Sequence, residues 1–389
     1  MLKIVTSVII LICAFNGLAA HRRFNVEQRI AKDGYYSESH TLMTTDGYIL
    51  EVHRIPFRRF ETAQNAVKIS KPVVFLMHGL QGSSLSYTFL GPGSSLAYLL
   101  AENGYDVWMG NARGGLNSRR HVTLDPSKDG EKFFDYSFED IGLKDVPEMI
   151  DYILKVTRQS KLDYIGHSQG GTAFFVMNSI RPEYNEKIKS AHLLAGVGYM
   201  EHFPNRILNA IAISTNLLYS IAVNEGILEI LGPRDSSNFN QEISTSPQFG
   251  LLGILLEAIS SIFKAFELVT PASIKQYAHF GQNIAAKSFN RWHYGAIENL
   301  SRYGSFTPPP YDISKITINT TMHYTVNDNL LDERDVLKMA SVMPNAAARK
   351  ISRETYTHHD FVLARDSKEL LYNYILEELN KNRKDECNI

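Results

Sequence analysis

The sequence predicts an α/β protein: a mostly parallel sheet with helices on both faces and an inserted helical segment. Short apolar runs bounded by turn residues, which are typical of buried parallel strands, alternate along the chain with patterns of helical periodicity. This alternation stops near Tyr199 and resumes near Ile316. Strand–helix alternation predicts a layered α/β core, and the interruption predicts an insertion into it.

The strand candidates are short and rich in branched and aromatic residues. They lie at Val73–Met77, 105–109 and 162–165, with weaker ones at 191–195 and 322–325 and a strand-like run at 349–356. Before them, the segment 39–56 carries Asp46-Gly47 between two strand-like runs, which is a hairpin signal. Helical patterns lie at about 94–102, 139–158, 170–181, 333–342 and 366–381. Ser137 followed by Asp140 resembles a capping box at the second of these.

The insertion is expected to span residues 199–311, between two parts of the core at 21–198 and 312–389. It contains strongly apolar helical patterns at 207–231 and 249–269. These helices either pack on the core or form a cap whose apolar faces line a substrate pocket. The two interpretations are compatible because a cap helix has more than one face.

The N-terminus resembles a secretory signal peptide. Lys3 precedes an apolar run that ends at Phe15, and small residues lead to Ala19 and Ala20. This order predicts cleavage after residue 19 or 20, so that residues 1–20 are removed. An uncleaved anchor is the alternative, but the run is shorter than the roughly 20 apolar residues of a membrane span. Because no later segment of the sequence has that length and composition, we expect a secreted or lysosomal protein without a transmembrane span.

Charge and cysteine content exclude several function classes. The formal net charge is −1, from 40 basic and 41 acidic residues, which argues against nucleic acid as a partner. Of the two cysteines, Cys13 lies in the expected signal segment and Cys387 has no partner in the mature chain. Cysteine chemistry and structural zinc are therefore not expected, and we predict neither metal nor cofactor. Sequons at Asn299 and Asn319 are candidate glycosylation sites.

Ser168 is the candidate nucleophile. It is the centre of the motif Gly-His-Ser-Gln-Gly at residues 166–170, which follows a strand candidate and precedes a helical pattern. This context is the one in which a sharp strand-to-helix turn exposes a serine hydroxyl. The alternative, a serine that only caps a helix, does not account for both glycines.

A serine hydroxyl needs a base, and the base needs an orienting acid. In the fold that uses this motif the chain order is serine, acid, histidine. Asp328 follows the strand candidate at 322–325 and is the expected acid; Asp332 and Asp335 are alternatives that helix capping explains better. His358 and His359 are the histidines that follow it, and chain order alone does not choose between them.

The oxyanion of a tetrahedral intermediate requires backbone N–H donors. One is expected from Gln169, the residue after the nucleophile, and the other from the loop after an early strand. His78-Gly79-Leu80 follows the strand candidate Val73–Met77, so Leu80 is the expected second donor. His78 and His167 are interpreted as packing or pocket-wall residues.

Taken together, these segments resemble the acid lipases, the family of gastric and lysosomal acid lipases, and especially its insect members. The resemblance extends from about residue 28 to the last helix. It is carried by the segments 44–50, 78–80, 103–114, 166–170, 327–332 and 358–361. The family pattern His-x-Asp-Phe selects His358 as the base. Thr325-Val326 stand where the family usually has Gly-Gly.

The resemblance implies an α/β-hydrolase core, a helical cap, and hydrolysis of triacylglycerols or steryl esters. The expected partner is a neutral lipid at an oil–water or membrane surface, with no obligate protein partner, in an extracellular compartment such as the gut lumen or in the lysosome. Two other functions stay open: an esterase for soluble short-chain esters, and a non-catalytic lipid carrier or yolk-type protein on the same scaffold.

Overall fold

The apolar runs form one mixed sheet in the computed structural model, which describes residues 25–61, 71–232 and 269–387. Within these residues the strands of this sheet are β1 (Glu38–Met43), β2 (Tyr48–Ile55), β3 (Val73–Met77), β4 (Asp106–Gly110), β5 (Arg120–His121), β6 (Leu162–His167), β7 (Ile188–Leu194), β10 (Asn319–Tyr324) and β11 (Ala346–Lys350). A separate two-stranded ribbon pairs β8 (Glu229–Ile230) with β9 (Ala272–Ser273). The expected signal segment and most of the apolar pattern at 249–269 lie outside the described residues.

The sheet order is β1-β2-β4-β3-β6-β7-β10-β11, and β5 pairs with β2. All pairs from β4 to β11 are parallel, whereas β1, β2 and β5 add antiparallel strands at one edge. The strands β3, β4 and β6 are buried along their whole length, as expected for central parallel strands. The predicted α/β class with a mostly parallel sheet is confirmed.

Thirteen α-helical segments lie in the described residues. They are α1 (Val26–Lys32), α2 (Leu96–Glu102), α3 (Gly130–Phe133), α4 (Phe138–Asp140), α5 (Val146–Thr157), α6 (Gln169–Ile180), α7 (Arg206–Ala212), α8 (Thr215–Asn224), α9 (Ile274–Ala286), α10 (Ala296–Tyr303), α11 (Glu333–Val342), α12 (Asp360–Leu363) and α13 (Asn373–Cys387). A π-helical turn, Ile141–Asp145, joins α4 to α5, and the predicted capping box at Ser137 is confirmed at the start of α4. A second π-helical turn, Lys368–Tyr372, precedes α13.

Two predictions of element bounds were wrong. The last strand is Ala346–Lys350 rather than 349–356, because pairing with β10 selects a run of alanines that has little strand propensity of its own. The apolar pattern at 207–231 is not one helix. It is divided into α7 and α8, which meet at a 72° bend, and the short strand β8 follows.

The hairpin turn at Asp46-Gly47 is tied to the core by a buried arginine. Arg113 lies in the loop after β4, and its guanidinium donates to Asp46 Oδ2 at 2.8 Å and to Asp145 Oδ1 at 2.7 Å. Asp145 is fully buried at the start of α5. One cation therefore links the edge hairpin, the loop after β4 and a long helix.

Helices α7 to α10 all lie between β7 and β10 in the chain, so the described part of the insertion is mainly helical. Inward side chains of α7, α8 and α9 contribute to two small apolar clusters beside the main core. Within the described ranges, no individual helix has the length and apolar content of a membrane span; the bent pair α7 and α8 meets that criterion only when taken together.

Candidate active site

Ser168 occupies a sharp turn between β6 and α6. Its φ is +51°, in the left-handed region that residues with a side chain rarely adopt, and its N–H donates to Leu194 O at 2.9 Å. The turn is possible because Gly170 has no side chain: a Cβ there would lie 2.2 Å from Met77 O. Gln169 begins α6, so its backbone N–H is one of the first-turn donors that lack an intrahelical acceptor.

The Ser168 hydroxyl lies at one end of a hydrogen-bonded triad. His358 Nε2 is 2.7 Å from Ser168 Oγ, and His358 Nδ1 is 2.7 Å from Asp328 Oδ2. The other oxygen of Asp328 accepts the backbone N–H groups of Leu330 and Leu331 at 2.7 and 3.1 Å. These donors orient the carboxylate, which in turn selects the tautomer with hydrogen on Nδ1. In that tautomer Nε2 is free to accept the serine proton.

The alternative acids and the neighbouring histidine have other surroundings. Asp332 caps α11 by accepting the N–H of Arg334, and Asp335 accepts from both the backbone and the ring of His202. His359 is half-buried at the wall of the same cavity, where burial lowers the pKa of its imidazole to about 4. Both aspartates are thus engaged away from the triad.

Two further contacts hold the loop that carries the base. His167 Nε2 donates to the backbone carbonyl of His358 at 3.0 Å, and burial lowers the pKa of His167 well below its usual value, so the ring stays neutral. Thr325 Oγ1 donates to Tyr356 O at 2.9 Å and ties the acid loop to the base loop. Sequence reasoning missed both roles. The only available signals were that His167 adjoins Ser168 and that Thr325 replaces a glycine of the family pattern.

The peptide between Gly79 and Leu80 is held in one orientation. The carbonyl of Gly79 accepts from His78 Nδ1 at 2.7 Å and from Gly82 N at 3.0 Å. His78 Nε2 accepts the N–H of Ala112 at 3.1 Å, so the ring hydrogen must be on Nδ1, and burial lowers the His78 pKa to about 4. Because C=O and N–H point in opposite directions across a trans peptide, fixing this carbonyl also fixes the Leu80 N–H.

A large, mainly apolar cavity opens above Ser168. The core contributes Leu80, Ser168, His358, His359, Val362 and Leu363 to its wall. The insertion contributes a larger apolar set from α7, α8 and α9: Leu208, Ile211, Ala212, Leu218, Ile274, Ala278 and Ile284. A cavity with an apolar wall and a few convergent polar groups is the usual form of a site for an apolar small molecule.

One group of potential metal ligands occurs within the described ranges, and it is not at this cavity. The ligand atoms of Glu201, His202 and Asp335 lie within 4.8 Å of one another. Lys338 already pairs with Glu201, and His202 already hydrogen-bonds to Asp335. An ammonium and an imidazole thus satisfy these carboxylates from within the protein.

The two sequons lie in contrasting surroundings. Asn299 is fully buried in α10: its Oδ1 accepts from Tyr294 N and its Nδ2 donates to Phe306 O, both at 3.0 Å. A glycan on Nδ2 has no room there in the folded chain. Asn319 is exposed at the start of β10. The geometry therefore favours Asn319 over Asn299 as an acceptor.

This fold and site define the α/β hydrolase class. A family model described as the alpha/beta hydrolase fold matches residues 72–362, and a second model, a partial alpha/beta-hydrolase lipase region, matches residues 26–91. The first match includes both loops of the candidate oxyanion site and all three members of the triad. The sheet order and the turn at Ser168 agree with this class.

Similar proteins identify the family within this class. The chain is 38% identical to Lipase 1 of Drosophila melanogaster over 92% of the chain and 80% of that protein. It is 36% identical to Lipase 3 of the same organism, over 90% and 92%, and 33% identical to gastric triacylglycerol lipase of Bos taurus, over 92% of both. The chain therefore belongs to the lipase family of the α/β hydrolases, and it is a serine ester hydrolase.

Proposed function

We propose that the protein hydrolyses carboxylic esters of neutral lipids, triacylglycerols among them, through an acyl-enzyme formed on Ser168. The observation that carries this proposal is the hydrogen-bonded triad at the base of an apolar cavity. The names of the relatives support the substrate class, since one of them is a triacylglycerol lipase.

The proposed reaction assigns one role to each group. Ser168 Oγ attacks the ester carbonyl while His358 Nε2 takes its proton, and the Asp328 carboxylate stabilises the imidazolium that forms. The N–H groups of Leu80 and Gln169 donate to the oxyanion. His358 then returns the proton to the departing alcohol, and water attacks the acyl-enzyme by the same steps in reverse order to release the fatty acid.

We further propose that residues 199–311 form a cap that meets the lipid surface. The inner faces of α7 and α8 contribute to the cavity wall, whereas Ile207 on α7, Ile213 in the turn between the helices and Leu217 on α8 are 60, 81 and 62% exposed. Apolar side chains on both faces of a helix pair are unfavourable in water alone. They are favourable where one face meets the acyl chain of a substrate and the other meets a lipid surface.

The proposed location is extracellular or lysosomal. It is supported by the signal-like sequence at residues 1–20 and by the gastric lipases among the relatives. Within this proposal Asn319, which is exposed, is the glycosylated sequon.

The substrate class is tested with emulsified triolein, emulsified cholesteryl oleate and a dissolved short-chain ester, each over pH 4–8. A lipase is expected to hydrolyse emulsified triolein faster than the dissolved ester. The reverse order, without a gain in rate at the oil–water interface, identifies an esterase for soluble substrates. Failure to react with a fluorophosphonate probe identifies a non-catalytic lipid carrier.

The assignment of residues is tested with single substitutions. Ser168→Ala should lower kcat by a factor on the order of 10⁶, because members of such a triad act as a unit. His358→Ala should come close to that loss, and His359→Ala should retain much more activity, since His359 is outside the triad. Retained turnover in Ser168→Ala contradicts the mechanism, and a larger loss in His359→Ala reverses the choice of base.

A further inference from the structure

Residues 270–276, which include β9 and the start of α9, contact both places from which the proposed oxyanion donors come. We propose that this segment, called the bracket below, holds the N–H groups of Leu80 and Gln169 in position. Thr270 and Gln276 are then positioning residues for the reaction, although they belong to the insertion and not to the core. The inference rests on the proposed ester hydrolysis and names residues outside the triad on which its rate depends.

The first contact is with the loop that follows Leu80. Thr270 N donates to Gln81 O at 2.8 Å, and Thr270 Oγ1 donates to Gly82 O, also at 2.8 Å. Gln81 has a φ of +57°, in the left-handed region that costs energy for a residue with a side chain. The loop therefore needs outside restraint to keep this conformation, and Thr270 supplies two hydrogen bonds to it.

The second contact is with the residue after the nucleophile. Gln169 Nε2 donates to Gln276 Oε1 at 2.8 Å, and the two side chains are each only 3% exposed. Because Gln169 is the first residue of α6, its side chain and its backbone N–H belong to the same short, constrained stretch of chain. A buried hydrogen bond that fixes the side chain also limits the movement of this N–H.

The bracket is itself attached to the core, so it restrains the donors rather than moving with them. Ser273 Oγ donates to Phe134 O at 2.6 Å, and Lys275 Nζ lies 2.6 Å from the Asp135 carboxylate. Phe134 and Asp135 follow α3, which lies outside the insertion. The insertion is thus fastened to the core beside the triad at this segment.

These contacts matter for a charge that is present in the transition state but not in the bound substrate. The negative charge on the ester oxygen develops during attack, so donors that are held in place stabilise the transition state more than the bound substrate. Removal of one oxyanion donor typically costs ~10²–10³ in kcat, and a donor that is present but loosely held should cost less. We therefore expect loss of a bracket hydrogen bond to lower kcat about 10-fold to 100-fold, with little change in KM.

The experiment compares matched pairs of variants. Thr270→Val removes the hydroxyl and keeps the shape, and Thr270→Ser restores it. Gln276→Leu removes the acceptor for Gln169 and keeps an apolar side chain of similar length. The expected result is the stated drop in kcat for the Val and Leu variants, with KM within about twofold, and recovery in Thr270→Ser. Affinity for an alkylboronic acid, which forms a tetrahedral adduct on serine, should fall by the same factor as kcat.

Titration with a fluorophosphonate counts the folded active sites, so that kcat refers to active protein. Gln282→Ala is the matched control on α9, because Gln282 hydrogen-bonds to Asn216 and to His293 O instead of the bracket's partners. If the wild type is active and both the Val and the Leu variant have a kcat within twofold of wild type, the proposed role of the bracket is wrong. The proposed ester hydrolysis is then unaffected. A rise in KM at constant kcat also overturns the role of the bracket, and assigns these residues to the substrate wall. Absence of Ser168-dependent turnover in the wild type overturns the proposed function, and the bracket with it.

Discussion

Lowering the pH should destabilise the folded protein, because several histidines are buried in the neutral form. Burial lowers the pKa of His78, His192 and His279 from an ordinary value of 6.5 to about 4. His192 packs against His323 between β7 and β10, and the nearby Arg349 guanidinium further disfavours its protonation. Between pH 6.5 and pH 4 the unfolded chain therefore binds more protons than the folded one. The contribution of these histidines to the free energy of unfolding is fully present above pH 6.5 and is lost as the pH falls towards 4.

The size of the effect follows from the two pKa values. At pH 5 an unfolded histidine is mostly protonated and a buried one is mostly neutral, which lowers the free energy of unfolding by about 2 kcal/mol for each histidine relative to neutral pH. Three such residues together cost about 6 kcal/mol, which is comparable to the whole stability of many proteins, about 5–15 kcal/mol. Acidic conditions should therefore lower the free energy of unfolding substantially.

Urea denaturation at pH 8, 7, 6 and 5 measures this dependence. His192→Gln, a change on β7 outside the triad, should reduce the slope of unfolding free energy against pH by up to one proton, about 1.4 kcal/mol per pH unit between pH 6.5 and 4. Near pH 8 the two slopes should agree, since His192 is then neutral in both states. Equal stability of the wild type at pH 5 and pH 7 refutes the reasoning, as does an unchanged slope in the variant.

Two other predictions concern the scaffold and its modification. Arg113→Met leaves the fully buried Asp145 without its cation. The free energy of unfolding, measured by chemical denaturation, should therefore fall by about 3–5 kcal/mol. A fall below about 1 kcal/mol contradicts a structural role for this ion pair. When the protein is secreted from a eukaryotic host, Asn319→Gln should remove a glycan-sized mass and Asn299→Gln should not, because only Asn319 is exposed; the opposite pattern in mass spectrometry contradicts this.

The parts of the fold that local pattern determines were predictable from the sequence. Strand Val73–Met77 has the predicted bounds, since a wholly buried parallel strand appears in sequence as an uninterrupted apolar run. The hairpin at Asp46-Gly47 was predictable because its turn has a φ of +95° at residue 47, which glycine adopts readily. The turn at Ser168 was predictable because it leaves no room for a Cβ at Gly166 or at Gly170. In each case the constraint restricts the residue types within a short stretch of chain, where the sequence shows it.

Contacts between distant segments were not predictable in this way. The hydrogen bond from His167 to the carbonyl of His358 joins residues 191 positions apart, and the one between Gln169 and Gln276 joins residues 107 positions apart. Histidine and glutamine occur in many roles, so neither residue type indicates such a partner. The division of the pattern at 207–231 was missed for a related reason. Apolar residues on both faces of α7 and α8 obscure the helical period that would have located the bend.

We expect the insertion to affect both the selectivity and the turnover of the proposed reaction. Its helices supply most of the apolar wall above Ser168, while its segment at 270–276 contacts the two loops that carry the proposed oxyanion donors. A substitution in the outer part of α7 or α8 should change which acyl groups fit and leave the donors in place. Substitution of Thr270 or Gln276 in the bracket should change the rate for every ester by a similar factor, because all esters develop the same oxyanion. The two parts of one insertion should therefore be separable by measuring kcat for several acyl chain lengths in each variant.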